Sequence, residues 1–162
     1  MRIKYLYIKL LLIYILSSVV HSSEIEFESE DLKIKNDGKL IFAVNSKTQI
    51  QSENLEIISK NVEYNKETNI LKFFNDVVFI DLKNNLKIES NEIIYKRNNN
   101  LIFSSGATKF DVKNKYKITS SNVFYDRIKK QIYANDKADI IDEEKNIYKL
   151  EDRYNLDIEK EI

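Results

Sequence analysis

Cysteine and proline are absent from this 162-residue chain, and glycine occurs only twice, as Gly38 and Gly106. Without cysteine there is no disulfide, no thiolate nucleophile and no cysteine metal site. The single histidine is His21, so the rest of the chain lacks the commonest general base and the commonest zinc ligand. Catalysis would rest on carboxylates alone, and the sequence reads as a non-enzyme without a cofactor. A charge excess is missing too, with 26 basic residues against 26 acidic ones. Setting aside Arg2, Lys4 and Lys9 leaves 23 basic residues against 26 acidic. A general nucleic-acid binder needs a clear basic excess, so no nucleic acid is expected as a partner. The abundance of Lys, Asn and Ile reads partly as the codon bias of an AT-rich genome.

The N-terminal stretch has three parts. Arg2, Lys4 and Lys9 give a positive start, Leu10 to Val20 an apolar centre, and Val20-His21-Ser22 small residues around a cleavage position. This is the pattern of a secretory signal peptide over residues 1–22, with cleavage near Ser22 or Ser23. A membrane-spanning helix needs about 20 apolar residues, and Lys9 cuts this tract short. The domain is therefore expected over residues 24–162, outside the cytoplasm.

What is present is repetition. Lines begun at Ile25, Leu55, Leu86 and Tyr116 read IEFESEDLKIKNDGKLIFAVNSKTQIQ, LEIISKNVEYNKETNILKFFNDVVFID, LKIESNEIIYKRNNNLIFSSGATKFDV and YKITSSNVFYDRIKKQIYANDKADIID. Their third residues are Phe27, Ile57, Ile88 and Ile118. Their fifth are Ser29, Ser59, Ser90 and Ser120, and their tenth Ile34, Tyr64, Tyr95 and Tyr125. A fifth line starts at Tyr148 and is incomplete. Tandem units of about thirty residues stack and bury a shared apolar face.

Within a unit the apolar residues alternate with period two and are rich in Val, Ile, Tyr and Phe, as half-buried strands are. Asn-, Asp- and Lys-rich stretches such as residues 36–39, 65–69, 96–100, 113–115 and 126–130 punctuate them as turns. Ser104-Ser105-Gly106 reads as a further break. The parity slips once in each first run: Ile88 and Ser90 are in step, whereas Ile93 and Tyr95 take the opposite phase. A slip of one residue would turn the apolar set outward, so a bulge or corner is expected beside the serine. The expectation is an all-β fold, with residues 143–162 as frayed strands.

The inward set read from this alternation is Phe27, Leu32, Ile34 and Phe42 in the first repeat, and Ile57, Val62, Tyr64, Phe73, Val77 and Phe79 in the second. The third supplies Ile88, Ile93, Tyr95, Phe103 and Phe110. The fourth supplies Ile118, Val123, Tyr125, Tyr133, Ala138 and Ile140. Period two fits both a filled core and an open trough. The tyrosine column reads as a cross-strand ladder. The serine column has no base beside it and is expected to bond backbone at the bend. The run Asp139–Glu144 lacks the spacing of a calcium loop and reads as a solvated turn.

These lines resemble the OstA-like repeat of the lipopolysaccharide transport family, which builds LptA, LptC and the periplasmic N-terminal domain of LptD. The family pattern is an apolar pair, a short Ser/Ala-Asp/Asn bend, a tyrosine, an Asn-rich turn, an apolar triplet and Gly-Asn-Val or a variant, here Asn75-Asp76-Val77 and Ser105-Gly106-Ala107. The resemblance spans Glu24 to about Ile158 and is nearest to the LptD domain. It implies a V-shaped antiparallel β-jellyroll, or β-taco, that shields lipid A acyl chains in the periplasm beside the outer membrane. The groove residues would be Ile34, Phe42, Val62, Tyr64, Phe73, Phe79, Ile93, Tyr95, Phe103, Phe110, Val123, Tyr125 and Tyr133. The implied partners are lipopolysaccharide, other jellyrolls joined by edge-strand pairing, and an outer-membrane barrel. LptA and an LptC-like anchored component remain open, as does a structural β-solenoid without a lipid ligand.

Overall fold

A computed structural model describes residues 25–160. The signal peptide expected at residues 1–22 lies outside the described residues. Six long strands make an antiparallel meander: β3 (Leu40–Ile50), β4 (Leu55–Asn65), β5 (Ile70–Asp81), β6 (Leu86–Lys96), β7 (Leu101–Val112) and β8 (Tyr116–Asp126). Short strands flank it, with β1 (Ile25–Glu28) and β2 (Asp31–Lys35) both on β3. At the other end β9 (Gln131–Ala134) and β10 (Ala138–Ile141) pair with β8. Beyond them lie β11 (Ile147–Leu150) on β10 and β12 (Tyr154–Asp157) on β9. Every pairing is antiparallel, so a solenoid of parallel strands is not the architecture.

The long strands do not run straight. Their registers shift between Ile58 and Asn61, Phe74 and Val77, Ser90 and Glu92, and Ser104 and Ala107. These bulges form one row across the sheet at the parity slip. Residues at positive φ mark it: Asn45, Asn75, Asp76, Gly106 and Asn122. Asn and Asp tolerate that region through local hydrogen bonds, which is how a chain with two glycines builds so many bends. The serines stand beside the row: Ser59 Oγ donates to the Asn61 carbonyl at 3.2 Å, Ser90 Oγ to Glu92 and Ser105 carbonyls, and Ser120 Oγ to the Lys137 carbonyl at 2.7 Å. They satisfy carbonyls that the bulges release from the ladder. The expected break at Ser104-Ser105-Gly106 is instead a bulge inside β7, because the ladder resumes at once on both neighbours.

The bulge row folds the sheet onto itself. Glu53, in the turn after β3, hydrogen-bonds Tyr95, near the far end of β6. In a flat sheet about nine residues of strand, or about 30 Å, would separate those levels. The strand halves therefore make two facing walls joined along the bulges. One inner-face row runs Tyr64, Leu71, Tyr95, Ile102, Tyr125 and Ile132 across successive strands, and another runs Ile57, Phe79, Ile88, Phe110, Ile118 and Ile140. All of these are buried.

At each end of the sheet the bend becomes a break. Ser29 and Glu30 separate β1 from β2, and residues 135–137 separate β9 from β10. The outermost segments, β1 with β2 and β11 with β12, have one neighbour each among the described residues.

Phe79→Ala empties the centre of the inner face and is expected to destabilise the domain by about 3–5 kcal/mol. Phe103→Ala, on the outer face, should cost less than half as much. Urea unfolding followed by circular dichroism measures both.

Candidate functional site: the trough and its mouth

Nine of the thirteen expected groove residues meet on the inner face. Val62, Tyr64, Phe73, Phe79, Ile93, Tyr95, Phe110, Val123 and Tyr125 are all buried. Ile34 also points inward, opposite Ile41, yet it is 59% exposed because β2 is an edge with no wall over it. Leu32, opposite Ala43, is exposed for the same reason.

Phe42, Phe103 and Tyr133 are corrections, since all three lie on the outer face. They belong to one cross-strand row, Phe42, Glu63, Lys72, Ile94, Phe103, Phe124 and Tyr133. Their inward neighbours are Ile41, Ile102 and Ile132. Side chains alternate strictly along a strand, so choosing the aromatic of each triplet chose the wrong parity. The turn gives the signal that finds it: the second residue after the left-handed Asn69, Asn100 or Lys130 faces inward each time. Outside, the rings of Phe103 and Phe124 lie 4.8 Å apart, and those of Phe124 and Tyr133 5.3 Å apart.

The two walls touch. Phe73, Phe79, Ile88, Ile93, Tyr95 and Tyr125 have no exposed surface, so the interior is filled by its own side chains.

Where the wall ends meet, the chemistry changes. Arg97 donates from Nε to Glu53 Oε1 at 2.9 Å and from Nη2 to the same oxygen at 2.6 Å. Arg127 donates from Nε to Asp81 Oδ2 at 2.8 Å, from Nη2 to the Glu53 carbonyl at 2.8 Å, and from Nη1 to Tyr95 Oη at 3.1 Å. The Tyr95 hydroxyl donates to Glu53 Oε2, and that of Tyr125 to Asp81 Oδ2 at 3.1 Å. Asn84 Nδ2 donates to Asp81 and to Tyr125 Oη. Glu53 and Asp81 stand on one lip and the two arginines on the other, so the cluster straps the mouth shut. The Asp81 side chain is 0% exposed and both arginine side chains 7%.

Burial pushes the Asp81 pKa up, but the hydrogen bond and charge of Arg127 and the donors of Asn84 outweigh it, and the net shift is downward. Burial tends to lower the Arg127 pKa, and Asp81 with Tyr95 reverses that. Burial, then Glu53, raises Tyr95, and burial with Asp81 raises Tyr125. Asp81 and Arg127 are thus held as a charged pair, with Tyr95 and Tyr125 as neutral phenols beside them.

Sequence reasoning missed these four charged residues. Only four of the 26 basic residues are arginines, and Arg97 and Arg127 occupy equivalent turn positions thirty apart. In so lysine-rich a chain, that choice of a planar, multiply donating cation was the available signal.

The folded two-walled meander is an LptA-like β-jellyroll. No family model and no curated protein matches the sequence. Among solved structures the chain is similar to LptH of Pseudomonas aeruginosa, the LptA-homologous periplasmic component of the conserved lipopolysaccharide transport device. The TM-score is 0.56 at 10% sequence identity, covering 64% of this chain and 76% of that one. At that identity the likeness is one of fold.

Removing one partner of the mouth cluster strands a buried charge. Arg127→Met is expected to cost about 3–5 kcal/mol at pH 7. Because the folded pKa of Asp81 is depressed, its contribution in the wild type is complete above the ordinary carboxylate value of about 3.9 and is lost as pH falls through the folded value. In the variant Asp81 keeps only the neutral donors Asn84 and Tyr125 and has no cation beside it, so it relaxes by taking up a proton. The stability gap between the two proteins should therefore narrow as pH falls from 7 to 3, as read by chemical denaturation at each pH.

Proposed function

We propose that this chain is a lipid-carrying module of a lipopolysaccharide transport bridge in the periplasm. The observation that carries this reading is the largely apolar inner face, interrupted near the bend by small hydroxyl residues such as Ser104 and Thr108, running the length of the folded sheet behind a polar mouth, in a fold shared with LptH. Acyl chains enter as the mouth cluster opens and the walls part, replacing wall-to-wall contacts with contacts of equal polarity. Sugars and phosphates stay outside. The exchange needs little net hydrophobic energy, because one apolar lining replaces another.

The edges fit a role in a chain of domains. β2 leaves Leu32 and Ile34 exposed on its inner side, and at the other end Tyr148 of β11 is exposed opposite Ile140. A strand added at either edge would pair free backbone groups and continue the apolar lining into the next domain. Our reading extends to lipid A as the source of the acyl chains and to an outer-membrane barrel as the acceptor, as for the N-terminal domain of LptD.

The filled interior favours a second reading, a structural jellyroll that extends a scaffold and carries no lipid. One experiment separates the two. A photo-crosslinking residue at Ile93, deep on the inner face, is expected to capture lipopolysaccharide, whereas the same residue at Phe103, outside, should not. Absence of capture at Ile93, or capture at Phe103 alone, would leave only the scaffold.

A further inference from the structure

Two adjoining clefts lie beside the mouth, of about 410 and about 340 Å³. They share Lys83, Asn84 and Lys130; Arg127 lines the first and Lys113 the second. Both volumes fall within the usual range for small-molecule sites, about 300–1,000 Å³.

The local charges do not cancel. Arg97 and Arg127 are matched by Glu53 and Asp81, and Lys130 by Glu159. Lys83 and Lys113 have no carboxylate within salt-bridge distance among the described residues. Two uncompensated positive charges therefore face one concavity, and a phosphate monoester carries about −1.5 to −2 at neutral pH.

The backbone points to the same place. Lys130 has φ 55°, at the turn position that the second and third repeats fill with Asn69 and Asn100. Lys113, at φ 55°, is likewise left-handed. Asparagine adopts this conformation readily, and lysine does so at a cost. Of the three lysines that the described chain holds at positive φ, two line this cleft. A strained backbone that gives up the easier residue is a mark of a working site.

We propose that Lys83, Lys113 and Lys130, beside Arg127, form a binding site for a phosphate monoester at the lip of the trough. The anion takes the two unpaired ammonium groups and competes with Glu159 for Lys130. The site deepens the lipid-carrier reading, on which only its lipid source rests: a phosphorylated headgroup would be held here while its acyl chains lie within. Recognition of a soluble phosphate ester stands without that reading.

The test is an amide NMR titration of the chain with a hexose 1-phosphate at low salt. Saturable shifts are expected at Asn85, Lys113 and Lys130, weakening as sodium chloride rises. Lys83→Gln with Lys113→Gln should weaken binding by about tenfold or more at an unchanged melting temperature. Lys109→Gln with Lys117→Gln, away from the cleft, should change nothing. Equal binding by both double variants, or shifts that never saturate, would overturn the site. Vesicles of phosphatidylcholine containing phosphatidic acid should displace the sugar phosphate, whereas phosphatidylcholine alone should not. If phosphatidic acid fails to displace it while the soluble titration holds, the lipid source is wrong and the phosphate site remains. Loss of capture at Ile93 with the soluble titration intact removes the lipid carrier and leaves the anion site standing.

Discussion

The row of bulges across the six long strands is the constraint from which the rest of the molecule follows. Each strand has apolar residues of one parity before the bulge and of the other parity after it. A straight strand would send half of them to solvent. One extra residue at the slip keeps both halves on a common face and bends the strand there. With six strands bent at the same level, the sheet has to close on itself, and one apolar surface becomes two facing walls. The burial of Phe79 before Leu86 in one wall and of Ile93 after the bend in the other has this single cause.

Folding a sheet in this way leaves a seam where the free ends of the walls meet, and the protein fills it with charge. Buried ion pairs contribute little net stability against separated, hydrated charges, yet removing one member is costly. A seam of Glu53, Asp81, Arg97 and Arg127 is therefore poor glue and a good selector between two states. Closed, every charge is paired; fully opened, every charge is hydrated; a half-made arrangement is worse than either. An apolar seam would have held the walls more strongly and with less discrimination between those states.

Much of the architecture was legible in the order of residues. Three recurring columns announced the repeat, and the phase slip beside Ser59, Ser90 and Ser120 announced the bend, because both follow from the two-residue period of a strand. The outward placement of Phe42, Phe103 and Tyr133 was harder to read. Their triplets are apolar throughout, and size is no guide to parity once both faces carry aromatics. The mouth cluster was hidden for another reason. Glu53 and Asp81 lie far in sequence from Arg97 and Arg127, and only closure of the walls brings them together. The exposure of Ile34 is of the same kind, since a residue can face inward and stay wet when no wall stands over it.

The repeat has a metric consequence. Each thirty-residue unit contributes two neighbouring strands, and strands in a sheet lie about 4.8 Å apart, so a unit adds about 10 Å to the length of the interior. Duplicating or deleting one unit would lengthen or shorten that space by a fixed step, while the segments that finish each end keep their own pairings. Capacity in such a protein is quantised, and tandem duplication of about ninety nucleotides is the natural increment by which it changes.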